Sequence, residues 1–330
     1  MRTPAWAIGL LVALILVAGC TDEPANEAPT PIPSTVAIES TPEPTATRPA
    51  VTPPPIVSAT PRPSATTRAG APVATPTPTT LFEYGNLVPS DDKALIEAGV
   101  SIAQRYLDAT VGIEAPRVTV YAYVDLQNLD APWETIASQS GIPPDALIQG
   151  LNVFVGETFP EAIFINVASP RWKDLPTLER VRLAAHEYVH AIQLDLMGAG
   201  KTRRFFNSVG QPETTAGPLW LIEGSAEYLS WLAVQSTGLL SLDHYLATTT
   251  ADRLDPRGLA SFGAFQVEGP DGYVSALRTT LFLAGDAGEQ RIFDYFEALG
   301  DGDSWEVAFR LTFGRDIDTF YREYDAVDGR

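Results

Sequence analysis

Cysteine is almost missing from this 330-residue chain: Cys20 is the only one. A lone thiol excludes a disulfide framework, whichever compartment the fold occupies. Bases are also scarce, with 22 Lys and Arg against 41 Asp and Glu for a net charge of −19. Residues 81–330 keep 36 of those acids and 18 of the bases, a balance of about −18. So acidic a segment argues against nucleic acid or an anionic membrane surface as its partner. Beyond residue 20 no apolar run is long enough to span a bilayer, and no internal repeat is present. Histidine is the last scarcity. There are three, and two of them fall within five residues of each other.

The first twenty residues read as a targeting segment. Arg2 supplies a short positive start, and Ala7 to Ala18 is an apolar run too short for a comfortable span. It ends Val17-Ala18-Gly19-Cys20, which resembles the lipobox of bacterial lipoproteins. That resemblance implies lipidation of Cys20 and an extracytoplasmic protein anchored to the cell membrane. Residues 21–80 hold more than half of the 28 prolines, with many Thr and Ala. Such a composition cannot bury enough apolar surface to offset ordering entropy, so a disordered linker is expected. In polyproline II form its sixty residues would reach on the order of 190 Å, a spacer between membrane and domain.

Residues 81–330 suffice for one large domain or two lobes, about 81–200 and 201–330. Ser90 to Thr110 predicts a helix, with Asp91 and Asp92 in its first turn and a stripe of Leu95, Ile96, Val100, Ala103 and Leu107. Arg117 to Val124 reads as a strand, 132–138 and 144–149 as short helices, and 151–155 and 161–167 as two further strands. The pattern predicts an α+β protein: a strand-containing N-terminal lobe, a mainly helical C-terminal lobe and a cleft between them.

After those strands comes the stretch Pro176 to Met197. Leu178, Val181, Ala185, Val189, Ile192 and Leu196 recur at helical spacing, and Gly198 suits the end of the helix. Within it lies His186-Glu187-Tyr188-Val189-His190. Residues four apart on a helix sit one above the other, so both imidazoles project from one side and can ligate one zinc ion. Glu187 is left beside them to take a proton from water that the metal activates. Farther on, Pro218 to Leu232 forms a second helical pattern on which Glu223 and Glu227 share a face with Leu219, Ile222, Ala226 and Leu229. Carboxylates on so apolar a helix are costly to bury without a partner, and a zinc site supplies one.

His-Glu-Tyr-Val-His followed by Trp220-Leu-Ile-Glu-Gly-Ser-Ala-Glu-Tyr228 resembles the gluzincin metallopeptidases, the group of thermolysin and the leukotriene-hydrolase-type aminopeptidases. The resemblance implies a zincin-like fold, Zn2+ as cofactor, Glu223 as third ligand and Glu227 as buttress of the first histidine. It covers residues 178–231 firmly. More weakly, Asp271 to Leu283 and the helices after it are similar to the C-terminal lobe of peptidase MA-like lipoproteins. Related enzymes hydrogen-bond the oxyanion from that lobe, which makes Tyr273 the candidate here and His244 and Tyr245 the alternatives.

Two departures stand out. The interval from His190 to Glu223 is long, so residues 201–217 must fold aside or over the cleft. No G-x-M-E-N segment is present, the feature with which the aminopeptidase branch holds a free amine, and this favours internal peptide bonds. The expected activity is hydrolysis of a peptide or protein substrate, with Glu187 as general base and strand 161–167 pairing with an extended substrate. The rival readings are a non-catalytic surface binding module that keeps a zinc site, and a zinc hydrolase of a non-peptide substrate. Oligomeric state is not legible in the sequence.

Overall fold

A computed structural model describes residues 80–113, 115–140, 142–198, 216–249, 256, 258 and 270–327. The targeting segment, Cys20, the linker up to residue 79 and residues 201–215 of the long loop lie outside those residues. The chain begins with β1 (Thr80–Tyr84), α1 (Ser90–Val111), β2 (Val118–Tyr123), α2 (Trp133–Ser140) and α3 (Pro144–Leu151). It continues through β3 (Gly156–Phe159), β4 (Ala162–Asn166), α4 (Pro170–Asp174) and α5 (Thr177–Met197). Described elements after that are helical: α6 (Leu219–Gln235), α7 (Leu242–Thr248), α8 (Pro270–Ala287), α9 (Gln290–Asp301), α10 (Trp305–Phe313) and α11 (Ile317–Val327). The class is therefore α+β, with the sheet confined to the N-terminal part.

The sheet runs β1-β2-β4-β3, with β1, β2 and β4 parallel and β3 antiparallel to β4. Alternation along each strand divides its side chains between two cores. Val118, Val120 and Ala122 of β2 and Ile163 and Ile165 of β4 join the main core with α1 and α5. Tyr121, Tyr123 and Phe164 face the other way and pack with Ile136 of α2 and Leu147 of α3. Burial on both faces explains why these strands are almost continuously apolar.

Two expectations about strands are corrected. Residues 151–155 are not a strand: Leu151 closes α3, and Asn152 Nδ2 and its backbone N–H both donate to the Ile148 carbonyl as the helix ends. The strand lies just downstream at β3, where a two-residue link, Pro160 and Glu161, returns the chain into β4. Glu161 carries φ 63°, in the left-handed region where a non-glycine residue is uncommon. Segment 161–167 is not an edge either, since β4 is bordered by both β2 and β3. Among the described residues, the outer strand on that side is β3. The structure also adds β1, which the sequence pattern left unassigned.

Helix α5 is buried far beyond a single stripe. Every residue from Ala184 to Leu194 is inaccessible, polar ones included. Close backbone approaches make this possible at both ends. A Cβ at Gly99 of α1 would meet the Val181 carbonyl, and one at Gly300 of α9 would meet the Leu196 carbonyl. Helix α6 packs along α5 and is itself enclosed from Leu219 to Trp231, with Glu223 only partly buried. On its outer side α6 meets α8, where a Cβ at Gly224 would strike the Ala276 carbonyl and Thr280 Oγ1.

Candidate metal centre

Three side chains from the two central helices converge. His190 Nε2 lies 3.0 Å from His186 Nε2 and 3.3 Å from Glu223 Oε2. The third edge of the triangle, His186 Nε2 to Glu223 Oε2, measures 3.5 Å. Among the described residues this is the group of His, Cys, Asp and Glu donors placed to hold a metal ion. Zinc bonds of about 2.0–2.1 Å at tetrahedral angles put neighbouring donors roughly 3.3 Å apart, so the triangle fits that ion. Burial on its own would raise the Glu223 carboxyl. The charge of His190 and hydrogen bonds from both imidazoles overcome this and hold it well below the usual carboxylate range.

Each imidazole is backed by a different device. Behind His190, Nδ1 stands 2.8 Å from Gln193 Oε1. Gln193 is fully buried, and its amide donates to the Ile222 carbonyl at 3.1 Å and to Ser225 Oγ at 2.9 Å. With that amide oriented, Oε1 must accept, so His190 donates from Nδ1 and Nε2 is the ring atom that faces Glu223 and His186. Behind His186, Glu227 Oε1 approaches Nδ1 at 3.4 Å, an ion-pair distance too long for a good hydrogen bond. The other oxygen of Glu227 is engaged by Arg182 Nη1, and Arg182 Nε donates to Glu179 Oε2 at 2.7 Å. Burial works against the Arg182 guanidinium, but the Glu227 and Glu179 charges outweigh it and push its pKa up.

The Glu187 carboxylate is not one of the three clustered donors and lies against β3. Thr158 Oγ1 donates to Glu187 Oε2 at 2.7 Å and stands 3.1 Å from the Glu187 carbonyl. A Cβ at Gly156 would collide with the Glu187 carboxylate. The missing side chain at 156 and the hydroxyl at 158 therefore form one seat, on one face of the strand.

Tyr273, near the start of α8, is brought to the same place, with its ring 6.0 Å from that of His186. Burial, then the charges of Glu223, Glu187 and Glu227, push its phenol well above the ordinary value, so it stays protonated as a donor. The two alternatives are placed elsewhere. His244 is exposed on α7, and Tyr245 stacks on Trp231 with centroids 4.2 Å apart. Gln193, Arg182, Thr158 and Gly156 were missed by sequence reasoning. Gln193 and Arg182 left a signal: they sit three residues after His190 and four before His186, on the ligand side of α5.

Residues 179–256 match the family model of the M61 glycyl aminopeptidases. The matched stretch contains His186, Glu187, His190, Glu223 and Glu227 and stops short of Tyr273. It supports a zinc-metallopeptidase-like assignment and, more coarsely, a peptidase. No curated protein gives a significant match.

Proposed function

We propose that this chain is a zinc-dependent peptidase held outside the cytoplasm by a lipid on Cys20. The observation that carries the reading is the donor triangle of His186, His190 and Glu223 with the carboxylate of Glu187 seated beside it. Zinc, when bound there, supplies a Lewis acid that polarises a carbonyl and brings the pKa of a coordinated water near 7. The remaining work falls to the chain. Glu187 takes the proton of the attacking water and passes it to the departing amine. Its Oε2 is occupied by Thr158, which holds the carboxylate in one rotamer. Tyr273, kept protonated, donates to the oxygen on which charge develops. Strand β3, the outer strand among the described residues, is the one to align an extended substrate, the role that the sequence pattern assigned to β4.

The carboxylates described at the site also bear on exo- against endopeptidase action. Removal of an N-terminal residue requires a group to hold the free amine. Glu187 is taken by Thr158, Glu223 lies between the histidines, and Glu227 is taken by Arg182. Glu157 lies on the opposite face of β3 from Gly156 and Thr158. The preference for internal bonds rests on the sequence, which lacks the G-x-M-E-N segment.

The test uses the full chain, wild type beside Glu187→Gln, with zinc content and hydrolysis of a mixed pool of free and N-acetylated peptides as readouts. Glu187→Gln should keep its zinc and its melting temperature while hydrolysis falls by about 10²–10⁴-fold. Equal cleavage by the variant overturns the mechanism. A zinc-loaded wild type that cleaves nothing assigns the chain to the binding-module reading. For the anchor, Cys20→Ser should release the protein from membranes or leave its leader uncut. Unchanged membrane attachment refutes lipidation.

A further inference from the structure

We propose that Arg182 is a positioning residue of the metal centre, acting on His186 through Glu227. The inference rests on the reading of His186 as a ligand. Among the described residues Arg182 is the only buried Arg or Lys, at 9% exposure. It lies one helical turn before His186 on α5, and so on the same side of the helix. Four carboxylates crowd this region: Glu179, Glu187, Glu223 and Glu227. A buried carboxylate without a counter-charge is costly, and Glu227 is only 5% exposed. Arg182 supplies the counter-charge and takes one Glu227 oxygen for itself, which leaves the other facing His186 Nδ1.

The geometry asks for arginine in particular. Its planar fork donates in two directions, Nε to Glu179 and Nη1 to Glu227, and its face lies over Trp231 at 5.5 Å. Glu179 and Trp231 thereby fix the guanidinium, the guanidinium fixes Glu227, and Glu227 is held as the carboxylate behind the His186 ring, 3.4 Å from Nδ1. Orientation of a ligand by the groups behind it commonly contributes 10- to 100-fold in metal affinity. A lysine retains the charge but donates from a single point, so it would hold Glu227 less firmly.

Zinc affinity of the full chain, measured by chelator competition at one pH, tests this, with folding followed by near-UV circular dichroism. Arg182→Met should bind zinc about 10- to 100-fold more weakly than wild type, and Arg182→Lys should recover part of the loss. Because Arg182→Met strands a buried carboxylate, the deciding variant is the pair Arg182→Met with Glu227→Gln, which removes both charges. If Arg182 acts through Glu227, the pair binds zinc within about twofold of Glu227→Gln alone, the non-additivity expected of one chain of contacts. A pair tenfold weaker than Glu227→Gln shows an effect that bypasses Glu227 and overturns the proposal. So does a folded Arg182→Met with wild-type affinity. A wild type that takes up no zinc overturns the ligand reading itself, an outcome distinct from either.

Discussion

His190 and His186 sit one turn apart on α5, yet the groups behind them differ in kind. His190 leans on a neutral amide, Gln193, whose own donors end on the Ile222 carbonyl and Ser225 of α6. His186 leans on a carboxylate tied to a guanidinium tied to a second carboxylate. The amide network is short, fully paired and without net charge, so removing one member leaves polar groups unsatisfied but no stranded ion. The ionic chain is most sensitive at its middle, because deleting Arg182 leaves the Glu227 carboxylate buried without that counter-charge. Rigid support and charged support thus meet in one triangle. On the proposed reading, the neutral side would fix where a metal goes, and the charged side would adjust how strongly His186 donates.

The harshest way to break the comparison is to remove the ligand both histidines share. Glu223→Ala should abolish stoichiometric zinc whatever stands behind either imidazole, and full occupancy in that variant would falsify the third-ligand assignment. Next comes a direct contrast between the two supports. Glu227→Ala and Gln193→Ala should each weaken zinc binding by roughly 10- to 100-fold. Their metal-free stabilities should separate in urea titrations. Glu227→Ala leaves the buried Arg182 with the more exposed Glu179 as its remaining carboxylate partner and should cost up to about 3–5 kcal/mol, whereas Gln193→Ala should cost about 1–3 kcal/mol. Equal losses would mean that the ionic chain is no more fragile than the amide. The smallest effect is expected at Tyr273, which belongs to neither support. Tyr273→Phe should leave zinc affinity unchanged and lower kcat more than it changes KM. A selective rise in KM would place the hydroxyl on the bound substrate instead.

Much of this arrangement was readable along the chain, because helical spacing alone puts His186 over His190 and Glu223 over Glu227. The supports were not readable to the same degree. Periodicity reports which residues share a face of one helix, but Gln193 gains its meaning from the Ile222 carbonyl and Ser225, and Arg182 from Glu227, all on a different helix. Thr158 and Gly156 depend on hairpin register, and the strand assignment just upstream was displaced. Val153, Phe154 and Val155 look like strand by composition, yet they form the exit of α3. A shift of that size carries β3 away from Glu187 and hides the seat of the base.

The contact at Gly224 bears on how this protein can change. Glu223 adjoins Gly224 in sequence, and Tyr273 lies one turn from Ala276, the residue whose carbonyl Gly224 touches. The separation of the third donor from the tyrosine is therefore set by two helix backbones in contact, without a side chain between them to act as a spacer. In a laboratory evolution experiment, apolar neighbours such as Leu221, Leu277 and Leu283 are then open to volume-conserving exchange while the pair stays in register. Position 224 is not, since any Cβ there forces α6 and α8 apart. A library screened for hydrolysis should accumulate variation across that core and keep a single letter at 224.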